Sequence, residues 1–260
     1  PELRRAADLP SNSERRENVA EELTAVVGND AMSIGSRSRL RQLQLEHSDQ
    51  LLSVLTVLLL VMLFVVAPFQ AIEIKIFDAF GVVVGLTMVV GVLVISASPT
   101  ATAIMLAGFS LNIAVVVVRL IKPLPYDLHL VAAGWFISVC TLGYVVARKV
   151  FSGGQVTVHR IVGAVLLYLL IALAFVSAFL LLGFWVPNAF SGLVVEDNQK
   201  LSSSLIYFSF VTLTTVGYGD IVPIHPVARS LCNLESIIGQ LYPATLLARM
   251  VSLEIEARRR

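Results

Sequence analysis

The chain of 260 residues is 57% hydrophobic and 14% charged, with a net charge of +1 and a mean hydropathy of +0.83. Soluble domains carry about a quarter of their residues charged, so this composition predicts an integral membrane protein. The near-zero net charge excludes an electrostatic footprint for nucleic acid. Cys140 and Cys232 both fall inside apolar runs and are expected to be small buried hydrophobes, not a disulfide or metal ligands.

Residues 1–47 hold seven arginines and several acids but no run long enough to span a bilayer, which predicts a cytoplasmic N-terminal tail. The first apolar stretch begins only near Gln50, so no cleavable signal peptide is expected. Within the tail, Val19, Leu23, Val26 and Val27 recur at helical spacing after Ser13, and Gly28-Asn29-Asp30 would end that helix. A second short helix is expected around Leu40 and Leu43. The stripe is short, which favours a surface helix along the headgroups or a loosely ordered tail over a tetramerisation or gating helix.

A helix rises about 1.5 Å per residue and the hydrocarbon layer is about 30 Å thick, so roughly twenty apolar residues make one span. Five such runs follow: about Leu51–Phe69, Phe77–Ile95, Thr100–Ile121, Leu128–Ala147 and His159–Trp185. Ser96-Ala97-Ser98-Pro99 divides the charge-free stretch from Ala79 to Val118, which is too long for one helix. Pro123 and Pro125 close the third run, and Gly153-Gly154 separate the fourth from the fifth. Gly81 and Gly85 form a GxxxG pattern suited to close helix packing. Residues 48–150 thus form a four-helix transmembrane domain, and residues 151–260 a second domain built from the fifth span onward.

That second domain contains the most specific stretch of the chain. Leu201–Leu213, with the serine cluster 202–204 able to cap it, predicts a helix of about three turns. Thr214-Thr215-Val216-Gly217-Tyr218-Gly219-Asp220 follows, and Pro223 and Pro226 end the loop. Glycines 217 and 219 open backbone angles closed to other L-residues, so successive carbonyls can point the same way. Four copies around an axis would stack rings of oxygen able to replace the water shell of a cation, and the Thr215 hydroxyl adds one further layer. Thr215 to Gly219 reads TVGYG and resembles the selectivity filter of potassium channels, itself the usual illustration of a carbonyl-lined filter. The potassium preference comes from that resemblance.

The resemblance is strong from about Leu201 to Met250. It implies an all-α membrane protein of six transmembrane helices plus a re-entrant pore helix and filter, assembled as a fourfold homotetramer of the bacterial type. Potassium ions would bind at Thr215, Val216, Gly217 and Tyr218, with Gly219 completing the filter and Thr214 and Asp220 flanking it. Tyr218 must point away from the axis if its carbonyl points inward, which makes Tyr207 and Phe208 candidates to brace it. Voltage-gated relatives carry a tryptophan pair at these two places. Val211, four before Thr215, leaves Asp220 without the glutamate partner found behind the filter in some bacterial relatives.

The sixth run covers about Ala228–Val251. Pro243 lacks an amide hydrogen and crowds the carbonyl of Gly239, so one turn is loosened twice. The family places a hinge at a glycine here, and Gly239 is read as the bend, with close packing through a small residue as the alternative. Ser236, Gln240, Ala244 and Ala248 recur every four residues and are assigned to the cavity wall. Glu235 is the only acid inside this span; lying off that stripe, it is expected to bond to the base of the filter. His159, His225 and Glu235 are candidates for proton sensing, with a solvated surface role expected for His225.

Lysine and arginine counts set the orientation. With six spans the termini share a side, which collects the seven tail arginines, Arg148, Lys149, Arg160, Arg249 and Arg258 to Arg260; the other side has only Lys75, Arg119, Lys122, Lys200 and Arg229. Both termini are therefore expected to be cytoplasmic in the cell membrane, with the filter facing outward. The fourth run has no internal arginine, and Asp78 lies only at an edge of the second. Each charge crossing 100 mV gains about 2.3 kcal/mol, so a sensor needs several. The reading is a passive potassium channel without a working voltage sensor. Expected partners are the homotetramer, membrane lipid and K+; no cofactor and no nucleic acid are expected. The alternatives are a non-conducting regulatory or scaffold subunit and a secondary potassium transporter, though transporters carry several unequal pore repeats and one filter is present here. No metal-ligand cluster, nucleophile triad or phosphate loop supports an enzyme.

Overall fold

The structure, a computed structural model, describes residues 52–71, 80–96, 98–121, 127–151, 158–195 and 199–258. The expected tail helices, Lys75, Asp78, Pro123, Pro125 and Gly153-Gly154 lie outside the described residues. The helices are α1 (52–71), α2 (Phe80–Ile95), α3 (Pro99–Ile121), α4 (Asp127–Val150), α5 (Val158–Trp185), α6 (Gln199–Leu213) and α7 (Pro226–Arg258). A two-residue strand β1 (Phe190–Ser191) pairs antiparallel with β2 (Val222–Pro223).

Among the described residues, four helical stretches are long and apolar enough to cross a membrane: Leu52–Phe69, Pro99–Arg119, Asp127–Val150 and Val158–Trp185. α2 has 16 residues, its apolar part being Val82–Leu93, and at about 1.5 Å per residue it falls short of the hydrocarbon thickness. α7 is long enough at 33 residues, but Arg229, Asn233, Glu235 and Gln240 dilute its apolar character.

Within α1, Met62–Val66 forms a π-helical turn in which the Ala67 amide donates to the Met62 carbonyl. Pro68 follows directly, and the wider turn accommodates a residue that cannot donate and crowds the carbonyl four back. α6 starts at Gln199, three residues before the serine cluster, so Ser202–Ser204 sit inside its first turns and not at its cap. Gln199 and Lys200 are good helix formers, and the helix propagates through them. α7 opens on Pro226, where a missing amide costs nothing, and the Val227 amide donates to Nδ1 of His225 at 3.3 Å. His225 thus caps the start of α7 from a partly exposed position.

Two cores hold these elements. In one, Leu52, Leu55 and Leu59 of α1, Met88 and Val92 of α2, Leu142 and Val146 of α4, and Leu166 and Leu170 of α5 pack together. Residues of α1, α2 and α4 thus pack on the fifth helix of the same chain. Phe64 of α1 also meets Phe210 of α6 at 5.3 Å between ring centroids. α2 and α3 approach closely where the Phe109 ring lies over Gly85, and α3 and α4 where Asn112 lies over Gly134. Arg119 at the end of α3 pairs with the buried Asp127 of α4 at 3.4 Å. Cys232 is buried as expected, but Cys140 is exposed on α4. Cys140 sits between the buried Val139 and the exposed face of α4, and an apolar neighbourhood in sequence does not by itself fix a residue's place around the helix.

The second core is aromatic. Phe179 of α5 is fully buried and touches Phe175, Phe190 and Phe208, the last at 5.0 Å. It ties α5, β1 and α6 together beside Leu201, Leu205, Ala228 and Cys232. Phe179→Ala is expected to cost about 3–5 kcal/mol, read as a lowered unfolding midpoint in detergent, while Trp185→Ala, at a residue 77% exposed, leaves the midpoint nearly unchanged.

Candidate functional site

An α-helix ends with carbonyls that have no partner inside it. At the end of α6 those carbonyls are met by the next amides in the chain. Thr214 donates to Phe210 at 3.0 Å, Thr215 to Thr212 at 3.0 Å, and Val216 and Gly217 both to Val211, at 2.9 and 3.4 Å. The segment that follows alternates in hand: φ is +58° at Thr215, +58° at Gly217 and +82° at Gly219, whereas Val216 and Tyr218 keep negative φ. Alternating left- and right-handed residues put successive amides on one side and successive carbonyls on the other. Because the amides of 215–217 are directed at α6, the carbonyls turn away from it, toward a face on which residues 214–220 are all exposed.

Thr215 is the residue for which this geometry is least natural. A β-branched side chain at positive φ is strained by about 1–3 kcal/mol and needs neighbours that over-determine it. Its amide bond to Thr212 is one constraint, and the Gln240 amide of α7, donating to the Thr215 hydroxyl at 2.8 Å, is the other. At Gly217 and Gly219 a β-carbon would meet open space within the chain, so only their backbone angles call for glycine.

The walls of the segment come from both sides. Tyr207 stacks on Tyr218, with centroids 6.3 Å apart and planes 4° from parallel. Phe208 does not reach Tyr218; it points into the aromatic core against Phe179 and Phe190, because adjacent residues on a helix face about 100° apart. Val211 acts through its carbonyl and not its side chain. Beyond the segment, Ile224 and His225 donate to the Ala189 carbonyl, and the Asp220 carbonyl occupies the place a β-carbon would take at Gly192, whose φ is +79°. Sequence reading passed over Ala189 and Gly192; the positive-φ glycine beside Pro187 and Asn188 was the available turn signal.

α7 runs unbroken through Gly239 and Pro243. At Gly239 the Leu213 carbonyl sits where a β-carbon would be, so in this conformation the glycine serves close packing on the base of α6. Ser236 donates to the Thr212 carbonyl at 3.2 Å, while Ala244 and Ala248 remain exposed one and two turns beyond Gln240. Glu235 is fully buried, yet it does not reach the base of the filter-like loop. Its Oε1 lies 2.5 Å from the Ser209 hydroxyl, one turn earlier on α6, because a residue next to the Ser236 stripe faces the helix body. Ser209 went unnoticed in the sequence, where it is one of several serines. Lower on α7, Tyr242 donates to the Ala164 carbonyl of α5 at 2.8 Å, and Arg249 donates to the Phe151 carbonyl at 2.6 Å. His159 of α5 lies 3.0 Å from the Ser53 hydroxyl of α1. Among the described residues, no group of His, Cys, Asp and Glu could hold a metal ion.

Residues 164–255, from the body of α5 to the end of α7, match the model of a family described as ion channel. The chain is similar to protein LctB of Bacillus caldotenax, 37% identical over 65 residues, which is 25% of this chain and 45% of that protein. It is also similar to the inward rectifier potassium channel Kirbac3.1 of Paramagnetospirillum magnetotacticum, 35% identical over 75 residues, 29% of this chain and 23% of that one. The chain thus spans less than half the length of either relative. No solved structure matches it significantly. Gly239→Ala is expected to cost about 1–3 kcal/mol by overpacking against Leu213, seen as a lower unfolding midpoint, whereas Ala248→Ser on the exposed face changes it little.

Proposed function

We propose that this chain, whose residues 164–255 form an ion-channel domain, is one subunit of a homotetrameric potassium channel that conducts K+ passively through Thr215–Gly219. The observation that carries the reading is the alternation of backbone hand at 215, 217 and 219, with the amides spent on α6. Four such segments around an axis would present rings of carbonyl oxygen to the permeant ion, with the Thr215 hydroxyl as the innermost layer. A neutral oxygen set of this kind suits a weakly hydrated monovalent cation and offers nothing to a thiophilic metal. The carboxyl end of the α6 dipole points to the inner end of the segment and lowers the energy of a cation where it is worst solvated. The similarity to an inward rectifier potassium channel at 35% identity supports the choice of ion.

In this reading the six helices α1–α5 and α7 are the spans, α6 is the re-entrant pore helix, both termini are cytoplasmic, and Gln240, Ala244 and Ala248 face the cavity below the filter. Gly239 and Pro243 would be the place where α7 bends on opening. α4 carries Arg148 and Lys149 only at its last turn and no basic residue in its middle. A field of 100 mV does about 2.3 kcal/mol of work per charge carried across, so these helices have little to work with.

The test is potassium flux into liposomes holding the purified protein, with sodium as the comparison ion, barium as a blocker, and a series of imposed voltages. Barium-sensitive flux that favours potassium and changes little with voltage is expected. Gly219→Ala is expected to abolish selective flux and to lower the unfolding midpoint by a strain of about 1–2 kcal/mol, since a φ of +82° disfavours alanine even though its β-carbon meets open space in the chain. Steep voltage dependence would overturn the reading of α4, and absence of flux would favour a non-conducting subunit.

A further inference from the structure

We propose that Glu235 is a positioning residue that works as a neutral acid: it donates its proton to Ser209, and Ser209 in turn donates to Ala172, locking the pore helix to both of its flanking helices. The Ser209 hydroxyl lies 2.5 Å from Oε1 of Glu235 and 2.9 Å from the Ala172 carbonyl. A hydroxyl has one proton, and a backbone carbonyl can only accept. With Glu235 ionised, two acceptors compete for that proton and one of them faces a lone pair. With Glu235 protonated, both contacts are hydrogen bonds and no charge is buried. Ser209 and Glu235 are both fully buried. Oε2 of Glu235 has no hydrogen-bond partner among the described residues, which an anion could not sustain in apolar surroundings and which the carbonyl oxygen of a neutral acid tolerates far better.

No compensating charge is at hand. Among the described residues, the titratable groups acting near Glu235 are Tyr168 on α5 and Cys232 on α7 itself; α6 contributes only Ser209, and no basic side chain forms an ion pair with Glu235. The consequence for the loop follows from register. Ser209 and Leu213 are four apart on α6, and Glu235 and Gly239 are four apart on α7, so the hydrogen-bonded contact and the close-packed contact stack one turn from each other. Between them lie Phe210, Val211 and Thr212, whose carbonyls receive the amides of residues 214–217. The acid therefore sets the height of the helix from which the proposed filter hangs. This role in conduction rests on the channel reading above; the protonation state does not.

The experiment uses the full chain in liposomes, with infrared spectroscopy beside potassium and sodium flux. A carboxylic-acid carbonyl band at neutral pH is expected, lost in E235Q and shifted in S209A. E235Q, which is uncharged and can still donate to Ser209, should keep the flux and its potassium preference, while E235A should lower flux about tenfold, the worth of one buried hydrogen bond. Removing both partners in S209A/E235L should recover much of that loss. Raising the pH until the acid band disappears should reduce flux in the wild type and leave E235Q unaffected. A carboxylate band at neutral pH, or E235Q failing as E235A does, would overturn the proposal. If the wild type conducts nothing, the band and the order of unfolding midpoints, E235Q above E235A, still decide the assignment while the channel reading fails separately.

Discussion

The final carbonyls of α6 must find donors outside their own helix, in a setting where water is scarce, and they find them in the four amides that come next. Once the amides of 215–217 are committed to Thr212 and Val211, the chain can advance only by alternating hand, and its carbonyls are left on the far side. The conformation of the loop is thus the cap of a helix extended by a few residues. What looks like a specialised binding segment begins as the ordinary accounting of backbone hydrogen bonds.

A loop built this way is only as well placed as the helix it caps. α6 is gripped on one side by the aromatic cluster around Phe179 and on another by α7 through Glu235, Ser236 and Gly239. The outgoing chain is pinned in turn by the β1–β2 pair and the Ala189 carbonyl. These contacts involve small residues or single hydrogen bonds at defined positions, so they fix register and leave little tolerance for added volume.

Polar side chains divide by what they serve. Thr87, Thr141, Ser138 and Ser177 each donate to a carbonyl one turn back in their own helix, which satisfies the hydroxyl without holding anything else. Ser209, Ser236, Gln240 and Tyr242 of α6 and α7 reach across to another element instead, as do Ser53 and Thr56 of α1 toward α5. In an apolar solvent such cross-helix bonds act as register pins. Three of them, from Ser209, Ser236 and Gln240, lie beside the loop or the helix it caps and fix its position.

The sequence by itself determined the helical, membrane-embedded character and the loop with its glycines, because apolar run length and backbone permissiveness are local properties. The permissive angles at Gly217 and Gly219 were legible for that reason, and Tyr207 was legible as a neighbour of Tyr218, whereas the positive φ of Thr215 was not. Only the tertiary structure decided which side chain faces what: that Phe208 turns to the core, that Cys140 is exposed, that Glu235 meets Ser209, and that Gly239 makes room for the Leu213 carbonyl. A helix apolar on every side carries no periodic signal of its inward face. Partners 26 residues apart, as Ser209 and Glu235 are, meet only when two helices have been set in register, and that register is a property of the packing.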